Sequence, residues 1–258
     1  MVQKKRKKTT YSRSASHRKK RNRTRRRAVI LWITALLLIP MALVSLGAYL
    51  LLSPAGNARE NTYIYIRPTT TLTDVERQLQ QNTRLRRPSF FHLAARYYKL
   101  EEKLRPGRYG IAPRMNTKQI LETLAHGKQS AVRFHLRHVR TQEDLIGRMT
   151  GKLMMKPEEL SSLLADSAFC DSLGFDSHSI RSLFLPETYE VDWDIRPKDL
   201  VLRLKRYYDR YWTAERRSLA DSLGLTPIQV SIIASIVEEE SGKADEYPQI
   251  AGLYIRRL

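Results

Sequence analysis

AVILWITALLLIPMALVSLGAYLLL, Ala28 to Leu52, decides the architecture of this chain. Its 25 residues carry no charge. As a helix they extend roughly 37 Å, enough to cross a hydrocarbon core of about 30 Å with some tilt. Pro40 lies mid-span, a position that membrane helices tolerate better than soluble ones. A cleaved signal peptide has an apolar core of only about 7–15 residues, so the run predicts a retained single-pass anchor over 28–52. The 258-residue chain has a net charge of +20, and residues 1–27 hold 14 Lys or Arg with no acid, which leaves +6 for the rest. That flank predicts a cytoplasmic tail and export of everything after Leu52.

The tail offers only Tyr11 and His17 among its cations. Reading bases needs stacking or edge-reading side chains, so topology and contact with anionic lipid suit the tail, and no nucleic acid partner is expected. A nucleic-acid binder would instead show a steep salt dependence lost on deleting residues 1–27. The single cysteine, Cys170, excludes an intramolecular disulfide framework and a Cys-rich metal site, and is expected to be buried and inert.

Beyond the anchor, SPAGNARE (53–60) reads as a short linker. YIYIR (63–67) alternates like a strand. Thr73 and Glu76 form a capping-box pattern that opens a helix through Leu79, a second helix follows Pro88 from Ser89 to Leu104, RYGI makes a short strand after Arg105-Pro106-Gly107, and Asn116 caps a helix that ends at Gly127. Residues 60–128 therefore predict a small α+β module without phosphate loop, metal spacing or nucleophile elbow. His92 and His126 are isolated.

Residues 129–258 predict a second, mixed α/β domain. AVRFHLRH, between Ser130 and His138, alternates like a strand, which sends His135 and His138 to opposite faces and argues against a metal pair. Short helices follow over 141–183, then LFLPETYEV (183–191), then one long amphipathic helix over 197–222.

Thr226, Pro227 and Gln229 are a strong helix start and Ser241-Gly242 a stop. Between them, SIIASIVEEE is apolar on most sides, which predicts a largely buried helix. Ser231, Ser235, Glu238 and Gly242, with Ala234, share one narrow stripe of small or polar side chains. Glu238 thus faces a groove floored by Ser and Ala that a bulky ligand could approach. A carboxyl at a helix C-terminus, beside two others and against apolar walls, is expected to have a raised pKa, as a general acid requires. Glu239 is expected to be solvated, and Glu240 either to lie beyond the helix or to be buried with a partner. The same residues also suit a frayed helix end that hydrates its acids.

ASIVEEES (234–241), FLPETYEV (184–191) and LRPGRYGI (104–111), behind an N-terminal anchor, together resemble the YceG-like (MltG) family of endolytic murein transglycosylases. The resemblance covers essentially everything after residue 60. It implies a LysM-like module over 60–128 and a catalytic domain over 129–258. The family's catalytic glutamate falls on Glu238, its second acid on Glu240, and its aromatic-x-Pro-acid-Thr-aromatic segment on Phe184 to Tyr189. Ser235, Glu240, Glu187 and Tyr189 are then substrate-binding or supporting residues. Ile250 to Leu258 resembles the family's helix ending in Asn-Arg-Leu, with Arg256 in the place of Asn. The family's following loop, of the G-M-x-L-Q-x-D-P-T-V-x-Y type, is absent after Leu258, so the catalytic domain is expected to be incomplete.

The resemblance implies cleavage of the β-1,4 bond between N-acetylmuramic acid and N-acetylglucosamine, leaving 1,6-anhydro ends, with no cofactor or metal. It implies glycan strands as substrate, the cytoplasmic membrane as anchor, and cell-wall synthases or division proteins as neighbours. The alternative is a non-catalytic, membrane-anchored peptidoglycan-binding scaffold. Glu238→Gln separates the two, because binding would survive and cleavage would not.

Overall fold

The computed structural model describes residues 14–58 and 60–257, with side chains from Trp32 onward. Residues 1–13 of the basic tail, and Leu258, lie outside the described residues. The molecule is a mixed α+β structure with one long N-terminal helix, α1 (Ser14–Leu52). Within it, Trp32–Leu52 has a mean hydropathy of 2.3. Among the described residues it is the one single helix long and apolar enough to cross a membrane. Its side chains are mostly exposed.

The first unit joins β1 (Thr62–Ile66), α2 (Leu72–Thr83), α3 (Pro88–Tyr97), α4 (Leu100–Lys103), β2 (Gly107–Ile111) and α5 (Thr117–Ala125). The strands pair antiparallel with Ile64 opposite Tyr109. Strand alternation then sends Ile64, Ile66, Tyr109 and Ile111 inward, where they are essentially fully buried, and leaves Tyr63 and Tyr65 outside. Asn116 and Gln119 close the expected capping box of α5.

Three expectations shift here. The capping box of α2 is Thr71 with Asp74, because starting two residues earlier puts Leu72 in line with Val75 and Leu79 on the buried face. The helix expected over 89–104 is broken at Lys99, which is left-handed with φ 50°. That conformation costs about 1–2 kcal/mol, and the turn buries Leu100 completely, worth about 1.5–3 kcal/mol. Residues 53–60 are no free linker. Pro54 bridges Asn116, Ala55 N–H donates to Met115 O at 2.9 Å, and Asn57 N–H donates to Thr83 O at 2.9 Å. Gly56 lies so close to α2 that a Cβ there would meet the Thr83 carbonyl oxygen at 2.5 Å.

The second unit pairs β3 (Val132–His135) with β4 (Thr188–Val191), antiparallel, with Phe134 opposite Tyr189. α6 (Gln142–Thr150), α7 (Pro157–Ala165), α8 (Ser167–Ser172) and a 3₁₀ helix (Ser179–Leu183) lie between the strands. α9 (Pro197–Tyr211) and α10 (Ala214–Ser222) follow. Phe134, Met149, Leu160, Cys170, Leu183, Tyr189 and Leu204 share one core. Burial pushes the Cys170 thiol above its ordinary range, consistent with an inert packing role. The expected strand through His138 ends at His135. The single helix expected over 197–222 is two, because Thr213 is extended and accepts from Arg216 N–H as a new N-cap. The break lets Trp212 and Ala220 enter the same core.

The two units touch through specific groups. Tyr65 meets Trp193 edge-on at 5.1 Å, the Arg67 guanidinium lies 5.4 Å from the Trp193 ring centroid, and Gln129 Nε2 donates to Asp194 Oδ1 at 2.7 Å. α11 (Pro227–Glu240) and α12 (Tyr247–Ile255) complete the chain around a third, small cluster of Leu225, Ile233 and Val237.

Candidate functional site

The three glutamates end α11, whose start is fixed as the sequence predicts. Thr226 N–H donates to Gln229 Oε1 at 2.8 Å and Thr226 Oγ1 accepts from Gln229 N–H at 3.2 Å. The helix then runs unbroken through Glu240. It is less enclosed than its composition predicts. Only Ile233 and Val237 are buried, and Ile232 is 46% exposed. Packing comes from α12 on one side and from α10 and the 3₁₀ helix at others. Ser231, half-buried, and the exposed Ala234, Ser235 and Glu238 form the small-residue stripe. The Ser235 hydroxyl turns back to donate to Ser231 O at 2.9 Å.

Glu238 therefore does not stand against apolar walls. Its side chain is 44% exposed. What faces it instead is His138, with Nδ1 3.4 Å from Glu238 Oε1. His138 is not a strand residue. It is left-handed, with φ 51°, a backbone state that ordinary residues adopt only when their surroundings hold them there. Arg148 on α6 does the holding. Its Nη1 donates to Arg137 O at 2.6 Å and its Nη2 to His138 O at 3.1 Å, while its Nε donates to Asp144 at 2.9 Å. The Arg148 hydrogen bond and charge hold the Asp144 carboxyl below its ordinary range. The 136–140 loop is tied at its other end by Leu136 N–H donating to Glu187 O at 3.1 Å.

The same loop presents Arg140, which grips Glu239 with Nε at 3.1 Å and Nη2 at 3.0 Å. Glu239 was expected to be merely solvated. Glu240 is expected to lie beyond the helix or to be buried with a partner, and only the partner is found. It stays helical and exposed, and accepts from the Tyr254 hydroxyl of α12 at 2.9 Å. That hydrogen bond holds the phenol of Tyr254 above its ordinary range. Three adjacent acids thus have three different partners, and these offset part of the unfavourable placement of acids at the C-terminal end of the helix dipole.

Glu187 is exposed at the head of β4. Tyr189 is fully buried, stacked near Phe134 and Tyr207, with its hydroxyl donating to Leu185 O at 2.8 Å. Burial drives its phenol far above the ordinary range. Tyr189 therefore props the Phe184–Tyr189 segment from within and presents no surface of its own. Among the described residues no group of three or more His, Cys, Asp or Glu is placed to hold a metal ion. A surface depression of about 450 Å³ lies away from the glutamates, between the two units, lined by Tyr63, Arg108, Ser130, Ala131, Arg133 and Glu190.

Arg140 and Arg148 were not singled out from the sequence, and His138 was weighed only as half of a metal pair. His138 and Arg140 reach the glutamates across a sequence separation of about a hundred residues, Arg148 acts through the loop that carries them, and no local pattern marks these contacts. The YceG-like family model matches residues 64–258. No curated protein gives a significant match. Among solved structures, a protein of Listeria monocytogenes described as yceG-like is 17% identical, aligned over 74% of this chain and 67% of its own, with a TM-score of 0.44.

Proposed function

This chain belongs to the YceG-like family, and on that premise we propose that it is a membrane-anchored lytic transglycosylase of peptidoglycan. α1 is its anchor in the cytoplasmic membrane, with the N-terminus cytoplasmic and the rest outside. The glycan strand, in its nascent form near the membrane, is the substrate, and cell-wall synthases or division proteins are its neighbours. The first unit serves as a LysM-like module. The observation that carries the reading is the placement of Glu238. It is the exposed acid on the small-residue stripe of α11, faced by His138 at 3.4 Å, while Glu239 and Glu240 are engaged by Arg140 and Tyr254.

In the proposed reaction the Glu238 carboxyl gives its proton to the bridging oxygen as the bond from C1 of N-acetylmuramic acid to that oxygen breaks. The resulting carboxylate then takes the proton of the C6 hydroxyl of the same sugar, whose oxygen bonds to C1. The 1,6-anhydro ring closes, and Glu238 recovers its proton. No water is consumed. A hydrolytic glycosidase needs a second carboxylate as nucleophile or water-activating base; an internal hydroxyl removes that need. An exposed acid on an open helix end suits an extended polymer, which can be met anywhere along its length. Ser235 and Glu187 border the strand's path, and Glu240 and Tyr189 support it from behind.

The test is digestion of purified peptidoglycan by the full-length protein and by Glu238→Gln, with mass spectrometry of the products. Anhydro ends are expected from the wild type, with activity lower by about 10²–10⁴-fold in the variant, the range of a general acid or base. Reducing ends would mean a hydrolase and turn attention to Glu187. Glycan binding with no cleavage by either protein would leave the non-catalytic scaffold.

A further inference from the structure

The segment from Arg84 to Lys99 contains five cations, Arg84, Arg86, Arg87, Arg96 and Lys99, and no acid. All five are exposed. Within it, α3 turns Phe91, Ala94 and Ala95 to the core. Its flank carries a second apolar stripe at helical spacing that nothing in the described chain covers: Phe90 half-buried, Leu93 66% exposed and Tyr97 85% exposed. Soluble surfaces carry single exposed apolar residues without consequence. Two exposed and one half-buried in register, flanked along the chain by cations, are the pattern of a helix that lies in a lipid interface.

The position of α3 says which surface it meets. Arg87, the residue that precedes the helix, donates from Nη1 to Ser53 Oγ at 2.8 Å, one residue past the end of α1. Its guanidinium also lies 6.0 Å from the ring centroid of Tyr49, inside the apolar span Trp32–Leu52. Arg86 next to it donates to Asn57 Oδ1 at 2.6 and 3.0 Å. The first turn of α3 is therefore held at the depth where α1 leaves its apolar stretch. The headgroup layer beyond the hydrocarbon core is several Å thick on each side, and cations near an anionic leaflet each add about 1 kcal/mol of attraction. Glu101 and Glu102 on α4 bound the basic surface beyond Lys99.

We propose that α3 is an interfacial helix that docks on the anionic leaflet from which α1 emerges, with Leu93 and Tyr97 inserted among the headgroups and Arg96 and Lys99 on lipid phosphates. This rests on α1 being a membrane anchor, and the test separates the two claims. The full-length protein is reconstituted into vesicles of phosphatidylcholine, alone or mixed equally with phosphatidylglycerol. An environment-sensitive fluorophore is attached at Leu93→Cys, or at Leu43→Cys within the span. Cys170 is fully buried and is replaced by alanine in both proteins. Lipids carrying a nitroxide just below the headgroup quench a label at position 93, and lipids with a mid-chain nitroxide quench one at 43.

The expected result is quenching at 43 in both vesicles and at 93 only with phosphatidylglycerol, with the quenching at 93 lost in R96E/K99E. A quenched label at 43 beside an unquenched one at 93 overturns the docking proposal, keeps the anchor and leaves the stripe to a protein partner. Quenching at 93 that ignores both phosphatidylglycerol and R96E/K99E overturns the anionic recognition. An unquenched label at 43 sinks the anchor, and quenching at 93 would then support docking by itself.

Discussion

His138 is the residue whose conformation says most about the glutamates. A left-handed histidine costs roughly 1–2 kcal/mol, and two hydrogen bonds from Arg148 to neighbouring carbonyls offset that cost and fix the ring opposite Glu238. In the proposed reaction His138 is a positioning residue, since it reaches the sugar only through Glu238. His138→Ala is expected to lower kcat about tenfold, a step of 1.4 kcal/mol, with KM nearly unchanged, and His138→Gln to recover part of the loss. An equal change in KM, or no recovery, would assign the loop a purely structural part. The place of Glu238 on the small-residue stripe was legible in the sequence, from the helical spacing of Ser231, Ser235 and Glu238. The open surroundings of Glu238 were not, because a helix composition rich in Ile says how much surface ought to be covered and not what covers it.

Among the elements, those with both ends marked by local chemistry were legible: α5 between Asn116 and Gly127, and α11 between Thr226 and Ser241. The errors fell where a tertiary contact outbid local continuity. α3 and α4 read as one helix because nothing local announces that Leu100 will be drawn into the core. α9 and α10 read as one because Trp212-Thr213 is no strong breaker by itself. The 3₁₀ helix under α11 depends on one acid. Asp176 accepts from the backbone N–H groups of His178 and Ser179 at 2.8 and 2.7 Å. These bonds, and one from the Ser179 side chain, hold its carboxyl below the ordinary 3.8. A carboxyl depressed in the folded state contributes stability that is complete above the unfolded value and lost as the pH falls through the folded one. Asp176→Ala is therefore expected to lower the melting temperature at neutral pH, with the gap from the wild type closing as the pH falls through the lowered value of the folded state. A gap that persists in strong acid would mean that Asp176 acts by packing and not by charge.

At the scale of the whole molecule the informative stretch is the one that read as a linker. From Ser53 to Asn57 the chain is bonded to α2, α3 and the cap of α5, and Gly56 permits the approach. Gly56→Val is expected to destabilise the first unit by about 1–3 kcal/mol, as overpacking does. Thermal unfolding of the full chain in detergent would show it, and an unchanged melting curve would mean that the stretch is held less closely than its contacts imply. Farther along, Trp193 between Tyr65 and Arg67 and Gln129 against Asp194 tie the second unit to the first. On the proposed reading, these joints make the molecule a gauge. With α1 as the anchor, the height of Glu238 above the bilayer would follow from these packed contacts and not from the reach of a tether, so strands would be cut within a narrow band of heights above the membrane. Where a strand is cut would then be decided by how far the polymer has grown away from the surface on which it is made.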